Sequence, residues 1–201
     1  MTDYDYERVT SLAALARRAP SVTLGTVVGW TDGRSRVEKN GSGYVDTSLF
    51  AVLEIKVLKS YRALDGRGGD RVYVEVPRGG EVRVDGKLPE GTKPVLATID
   101  ELNSAVPRGT RVIVVGRAAP TATELEKQTP GSTVHNVAAG HPQGTGLLRA
   151  HVQGLIFEDE QGNFVSGLAD EEKEWGWVPS GKSAAGGGFS HLTDQLDALG
   201  R

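Results

Sequence analysis

Alternating apolar and polar positions dominate residues 47–76 and predict two antiparallel strands. The apolar residues that share a face are Ala51, Leu53, Ile55 and Val57 in the first strand, and Val72, Val74 and Val76 in the second. Period-two alternation with β-branched residues is typical of half-buried antiparallel strands. The Gly-rich joint at 64–70 contains residues that tolerate positive φ, so it predicts the connecting turn. We expect this pair to be the nucleus of a β-barrel.

Shorter segments of similar pattern precede and follow the pair. Strands are predicted at 21–30, 81–88, 94–99, 110–116, 151–157 and 163–168. Gly25 and Gly29 interrupt the first of them, which indicates a sharp bend or a close backbone approach. Asp85-Gly86, set between alternating residues, predicts a tight hairpin. The valine-rich run at 110–116 is typical of a strand that is buried on both faces.

Short amphipathic helices are predicted near both ends of the chain. The first, at 7–19, has Val9, Leu12, Leu15 and Ala16 on one face. Thr10 or Ser11 is expected to cap it, and Pro20 to end it. The last, at 189–201, has Phe189, Leu192, Leu196 and Leu199 on one face, with Ser190 as the expected cap.

The remaining segments are predicted to be loops. Residues 31–46 are polar and Gly-rich and are expected to form a mobile loop, and Pro77–Gly80 a turn. Residues 118–150 lack apolar periodicity and are expected to form a long irregular insertion that is mobile. Within it, Thr121 and Glu124 have the spacing of a capping box, which predicts about two turns of helix there.

These segments combine into one mainly-β domain spanning residues 1–201. We expect an OB-type antiparallel β-barrel with core strands in 7–117, the insertion at 118–150, a closing hairpin at 151–168 and the C-terminal helix at 189–201. The chain is long enough for one such domain with a substantial hydrophobic core.

The order of the strand segments carries a family resemblance. A short helix is followed by GTVVG, LEIKVLKSYR, GDRVYVEV and PRGTRVIVVG in that order. This order resembles the OB-fold barrel of netrin-like domains and tissue inhibitors of metalloproteinases, and actinobacterial proteins without an assigned role carry similar patterns. The resemblance covers residues 7–117, with 151–168 as closing strands. Those inhibitors bind a protease zinc through an N-terminal cysteine and are stapled by disulfides. This chain begins Met1-Thr2 and has no cysteine, so the resemblance implies the fold and not that mode of inhibition.

Composition narrows the function classes. The chain carries a net charge of −3 and has no cysteine, which excludes disulfides, thiolate metal sites and cysteine catalysis. Residues 1–100 hold 15 basic and 14 acidic residues, and residues 101–201 hold 8 and 12. Neither half has the basic excess of a dedicated nucleic-acid binder, so no nucleic-acid partner is expected.

The sequence leaves the compartment open. No run approaches the 18 apolar residues that a membrane span needs, and the N-terminus MTDYDYERV lacks the apolar region of a signal peptide. The protein is therefore either cytoplasmic, or extracytoplasmic with a leader that Met1 replaces.

The nearest match to a phosphate-binding motif is Gly176-Trp-Val-Pro-Ser-Gly181-Lys182-Ser183. Such a loop needs a preceding strand and a following helix whose N-terminal amides face the phosphates. Here an acidic segment precedes it and three glycines at 186–188 follow, which disfavour a helix. We interpret the match as chance and expect no nucleotide binding.

Catalytic and metal-binding motifs are sparse. His135 and His141 lie six residues apart in the insertion, an unusual spacing for zinc ligands. No G-x-S-x-G motif occurs. We therefore expect no catalytic residue, no bound metal and no cofactor. The alternative is a metal-dependent hydrolase that uses these two histidines and nearby carboxylates.

An acidic segment followed by two tryptophans is the best candidate for a binding surface. Residues 158–174 hold seven acidic residues and one basic residue, and Trp175 and Trp177 follow directly. Two tryptophans two positions apart point the same way in an extended segment, and tryptophan is enriched at interface hot spots. The competing interpretation is that both indoles plug a barrel end. The leading hypothesis is a non-enzymatic module that binds a protein, and a third alternative is a single-strand nucleic-acid-binding OB domain.

Overall fold

The computed structural model describes residues 9–39, 43–63, 69–168 and 188–199. In chain order the elements are α1 (Leu12–Arg18), β1 (Ser21–Lys39), β2 (Tyr44–Arg62), β3 (Arg71–Val84), β4 (Val95–Leu96), α2 (Ile99–Ala105), β5 (Arg111–Ala118), α3 (Ala122–Gln128), β6 (Ser132–His135), β7 (Leu147–Glu158), β8 (Phe164–Ser166) and α4 (Phe189–Leu199).

Five strands close into a barrel in the order β1–β2–β3–β7–β5–β1. All the pairings are antiparallel except β3–β7, where Tyr73 to Glu75 run parallel to Leu147 to Arg149. The mainly-β, OB-like barrel predicted from the alternating segments is confirmed. The predicted closing hairpin is also present as β7 and β8, and β7 contributes the parallel pair that closes the barrel.

Two apolar clusters lie on opposite sides of the barrel wall. The barrel interior contains Val27, Trp30, Ala51, Leu53, Ile55, Val74, Val76, Val112, Val114, Leu148, Ala150, Leu155 and Phe157. The second cluster packs α1 and α4 against the outside of β1, β5 and β7, and it includes Leu12, Leu15, Ile113, Ile156, Phe189 and Leu196. Because β5 faces both clusters, its central residues are buried on both faces, as predicted from the valine-rich run.

Strands β1 and β2 are much longer than predicted. Residues 31–39 continue β1 and residues 44–46 begin β2, so the predicted mobile loop is wrong at both ends; residues 40–42 lie outside the described residues. The predicted turn at 77–80 is also wrong, because β3 runs through it with an irregularity opposite Leu49 and Phe50. The polar residues at these positions belong to strands because their backbone groups pair with neighbouring strands. Such pairing leaves no trace in the pattern of apolar residues, so the sequence did not reveal it.

Four further local predictions are corrected or refined. The strand predicted at 94–99 is only Val95–Leu96, and Thr98 then caps α2 in a capping box with Glu101. Asp85 and Gly86 have positive φ values of 49° and 77° in a tight turn, as predicted, but the preceding residues belong to β3. Helix α1 is capped by Ser11, one of the two expected caps. Helix α4 begins at Phe189, so Ser190 lies inside it and not at its cap.

The insertion carries more regular structure than predicted. Helix α3 has the expected capping box at Thr121 and Glu124. Strand β6 was not predicted; it pairs with residues 35–38 of β1. Residues 119–121, 129–131 and 136–146 have no regular secondary structure, and 136–146 is the longest such stretch of the insertion. Over the residues that the structure describes, no helix has the length and apolar character of a membrane span.

Candidate functional site

A row of cross-strand neighbours crosses the outer face of the barrel. Val52 of β2 is opposite Glu75 of β3, Glu75 is opposite Arg149 of β7, and Arg149 is opposite Arg117 of β5. Their sequence neighbours on these strands, such as Leu53, Val74 and Leu148, fill the barrel interior. Because side chains alternate along a strand, those of the row project from the outer face.

Residues 136–146 of the insertion lie over the β2–β3 part of this face. The carbonyl of Gly140 accepts a hydrogen bond of 3.4 Å from the Thr31 hydroxyl. A Cβ added at Gly140 would lie 2.6 Å from the Val52 side chain and 2.7 Å from the Asp32 carbonyl oxygen. The segment therefore packs directly on the outer face, and Val52 is only 1% exposed although it points away from the barrel interior. We call residues 136–146 the cover segment.

A charged cluster lies beside the cover segment. The Arg34 guanidinium donates through Nε and Nη2 to the two carboxylate oxygens of Glu75, with Nη2 3.0 Å from Oε2. Arg149 Nη2 donates to the same Oε2 at 2.9 Å. Arg34 is 3% exposed and Glu75 is 2% exposed, so this is a buried ion pair with a partly exposed third member. Such an arrangement tolerates burial only while every charge keeps its partner.

His141 attaches the cover segment to the barrel. Its ring meets the Tyr73 ring edge-on, with 6.5 Å between the ring centroids. Burial, and then the nearby Arg34 guanidinium, lower the pKa of His141, against the opposing effect of the Glu75 carboxylate. Its Nδ1 is buried and has no hydrogen-bond partner among the described residues. The neutral ring is thus the form that this position favours.

The two histidines of the hydrolase alternative occupy different environments. His135 is exposed on β6 opposite Ser35, whereas His141 lies in the cover segment against Tyr73. Within the described ranges, no three histidine or carboxylate side chains come together as a metal would require. Metal analysis of the purified protein remains the test of that alternative.

Beyond the barrel, the first three strands continue as a sheet extension, defined here as residues 35–39, 44–49 and 79–84. Irregularities in pairing between Asp32 and Ser35 and between Leu49 and Phe50 separate it from the barrel. Strand β6 pairs with one edge of the extension and β4 with the other. The extension is therefore a separate surface that the barrel holds in place.

The β3–β4 edge of the extension exposes apolar side chains. Val84, Val95 and Leu96 lie along this edge and are all exposed, Val95 to 80%; we call them the edge patch. Gly79 seats β4 here, since its φ is +112° and an added Cβ would lie 1.8 Å from the Val95 carbonyl oxygen. Arg78 fixes the base of the edge by donating to the Ala97 carbonyl at 3.2 Å and to Asp32 at 2.6 Å.

The tryptophans singled out from the sequence are not among these residues. Trp175 and Trp177 lie outside the described residues, as do Lys182 and residues 169–174 of the acidic segment. The hot-spot hypothesis therefore stays a prediction, and so does the absence of nucleotide binding.

Sequence reasoning missed the charged cluster. Arg34 fell in a predicted loop, and Glu75 occupied the polar face of an alternating strand, where an acidic residue is ordinary. The edge patch had a clearer sequence signal, which was also missed. Thr98-x-x-Glu101 has the spacing of a capping box, so a helix begins there and the strand predicted at 94–99 must end before Thr98. Val95 and Leu96 then form only a very short strand.

Comparison with known proteins adds no identity: no family model, curated protein or solved structure matches the chain.

Proposed function

We propose that this chain is a non-enzymatic module that binds a protein, and that the edge patch is its contact surface. The observation that carries the proposal is the exposure of Val95 together with Val84 and Leu96 along one sheet edge. Val95 pairs with Gly80, so it shares a sheet face with Val84, four residues further along β3, whereas Leu96 points to the other face. Exposed apolar side chains with a polar surround are typical of a binding surface.

The surroundings of the patch fit a protein interface. Glu81 and Arg83 form an ion pair of 2.6 Å on the strand that carries Val84. A charged rim around apolar side chains supplies orientation and partner choice, while the apolar centre supplies affinity. Because β4 has only two residues, side-chain docking suits this edge better than the addition of a partner strand.

The covered barrel face favours a protein over a nucleic acid as the partner. Phe50 of β2 and Tyr73 of β3 are the aromatic residues nearest the charged row and both are buried, while the half-buried Tyr61 of β2 donates its hydroxyl hydrogen bond to Asp197 of α4. An OB barrel that binds single strands stacks bases on exposed aromatic rings. With these rings packed beneath other residues, the aromatic platform is not presented to a base.

Two finer parts of the proposal rest on sequence. We propose that the barrel is of the netrin-like kind, because the order of its strands after the short helix resembles that of netrin-like domains. Actinobacterial chains carry similar patterns. We also retain Trp175 and Trp177 as a second contact, since paired tryptophans beside an acidic segment are suited to a basic partner surface.

Site-specific photo-crosslinking tests the contact surface. A photoreactive residue at position 95 should crosslink one discrete protein in a lysate of the source organism. The same residue at Leu58, an exposed apolar residue of β2 that lies away from the edge patch, is the matched control and should not. With that partner purified, Val95→Asp should weaken binding by about 2 kcal/mol or more, roughly 30-fold, without changing the melting temperature.

Failure of the proposal has a clear signature. Equal crosslinking from positions 95 and 58, or unchanged affinity of the Val95→Asp variant, would show that the edge patch is not the contact. Trp175→Ala and Trp177→Ala belong in the same assay. Loss of affinity with intact folding supports the second contact, whereas a loss of about 3–5 kcal/mol of stability would mean that the indoles plug the barrel.

A further inference from the structure

The outer face of β3, β7 and β5 carries more positive charge than its acidic residue can balance. Arg34, Arg149 and Arg117 lie on this face together with Glu75, and Glu75 is already shared by Arg34 and Arg149. Among the described residues, the Arg117 guanidinium has no acidic partner within 4.0 Å, and it is exposed. Three guanidinium groups and one carboxylate leave a surplus of two positive charges.

Pairing forces two of these cations together. Arg117 and Arg149 are direct cross-strand partners in the antiparallel β5–β7 pair. The Cβ atoms of such partners lie about 4.5–5.5 Å apart, and like charges in this position destabilise a sheet. The backbone enforces the approach, since a Cβ added at the neighbouring Gly116 would lie 2.3 Å from the Arg149 carbonyl oxygen.

Glu75 holds one of the two arginines in place. The bond from Arg149 Nη2 to Glu75 Oε2 anchors one end of that guanidinium, and Glu75 is itself held by the buried Arg34. Arg149 is therefore oriented before any ligand arrives, which reduces the entropy lost on binding. Arg117 lies beside it at the exposed end of the row, open to solvent.

We propose that Arg117 and Arg149 form a binding site for a phosphoryl group in its dianionic form. A phosphomonoester carries a charge of about −1.5 to −2 at neutral pH and has three acceptor oxygens. That charge matches the surplus on this face, whereas a single carboxylate would neutralise only half of it. Planar guanidinium groups suit such oxyanions because they donate two parallel hydrogen bonds.

This site is independent of the edge patch, which lies on a different part of the sheet, so the two proposals stand or fall separately. The ligand is either free phosphate or a phosphoryl group on a larger molecule. Inorganic phosphate and O-phosphoserine are the two probes that separate these sources.

Thermal unfolding in low salt tests the site. Inorganic phosphate or O-phosphoserine should raise the melting temperature of the wild type more than acetate does at matched ionic strength, because only the folded state binds the anion. Arg117→Ala should lose that rise, and Lys93→Ala, which removes an exposed lysine in the loop before β4, should keep it. The probe with the larger effect identifies the source of the phosphoryl group, and either result supports the site.

A second readout needs no ligand. In low salt without phosphate, Arg117→Ala should melt at a higher temperature than the wild type because it relieves the like-charge pair, while Lys93→Ala should not. Three results would each overturn the proposal: a phosphate effect no larger than that of acetate, a phosphate effect that survives in Arg117→Ala, or binding of a single-stranded oligonucleotide without a response to either phosphate probe.

Discussion

At the scale of single residues, the barrel depends on charges that face outward yet lie buried. Glu75 satisfies two arginines, one of them 3% exposed, and its own side chain is covered. A buried ion pair contributes little beyond what apolar packing would give, but removing one member leaves an uncompensated charge. Removal of the Glu75 carboxylate is therefore expected to lower the free energy of unfolding by far more than the ion pair adds to it.

Substitution of Glu75 tests this directly. Glu75→Gln keeps the shape of the side chain but leaves Arg34 without a counter-charge, so we expect a loss of about 3–5 kcal/mol in the free energy of unfolding, measured by urea denaturation. The matched control is Glu81→Gln, which removes a carboxylate from the exposed pair with Arg83 and should change stability little. Equal effects of the two substitutions would contradict the buried-pair account.

His141 predicts a pH dependence of stability. Its pKa is lowered in the folded protein, by burial first and by Arg34 second, so the unfolded chain binds more protons in the histidine range. Stability therefore rises with pH and is lost as pH falls through the ordinary histidine pKa of about 6.5. His151 has the same direction of shift, from burial and then Arg117. The carboxylates with lowered pKa values, Glu81, Glu101, Glu124 and Asp159, act only at more acidic pH.

Denaturation midpoints between about pH 7.5 and about pH 5.5 measure this effect across the histidine range. The wild type should lose stability over that range, and His141→Asn should lose less, because it removes one of the two contributing groups. His135→Asn, at the exposed histidine of β6, is the control and should behave as the wild type. A steeper loss in His141→Asn than in the wild type would reverse the assigned sign.

At the scale of elements, the cover segment decides which barrel surface is available. It is seated by Gly140, where φ is +81° and no space exists for a side chain. Gly144 has a similar φ of +83°, but an added Cβ there would meet nothing within 4 Å. Comparison of substitutions at the two glycines therefore distinguishes the effect of backbone strain from the effect of a steric clash with the barrel.

Alanine at each glycine tests the seating of the cover segment. Both substitutions carry the cost of a left-handed backbone, but only Gly140→Ala also collides with Val52 and Asp32. We expect Gly140→Ala to lift the segment and speed limited proteolysis within 136–146, and Gly144→Ala to cause a smaller change. Equal cleavage of both variants would mean that the segment does not depend on this contact.

The sequence predicts those elements whose apolar residues recur with a regular period, and it misses those that are held by backbone pairing alone. The barrel strands were predictable because their apolar residues alternate towards one interior, as at Leu53 and Val74. Residues 35–39 and 44–46 of the sheet extension were not, because they are held by backbone pairing between polar residues, such as Glu38 with Asp46. The charged cluster was hidden for a related reason: Arg34 and Glu75 meet only through the register of distant strands and an irregularity in β1.

At the scale of the whole molecule, the fold divides its surfaces between two roles. The barrel, with α1 and α4 packed on its outside, provides a rigid base. Its outer β2–β3 face is closed by the chain's own cover segment, and the sheet extension presents the edge patch to solvent. We therefore expect a partner to bind at the extension while the β2–β3 face of the barrel stays covered.

Hydrogen–deuterium exchange with the crosslinked partner, purified and added back, tests this claim most directly. We expect the partner to slow amide exchange at residues 78–97, around the edge patch, and to leave exchange in 50–54, 73–76 and the cover segment 136–146 unchanged. Slowed exchange at 50–54 and 73–76 together with faster exchange in the cover segment would show that the partner displaces the segment and occupies the barrel face, which would contradict the account.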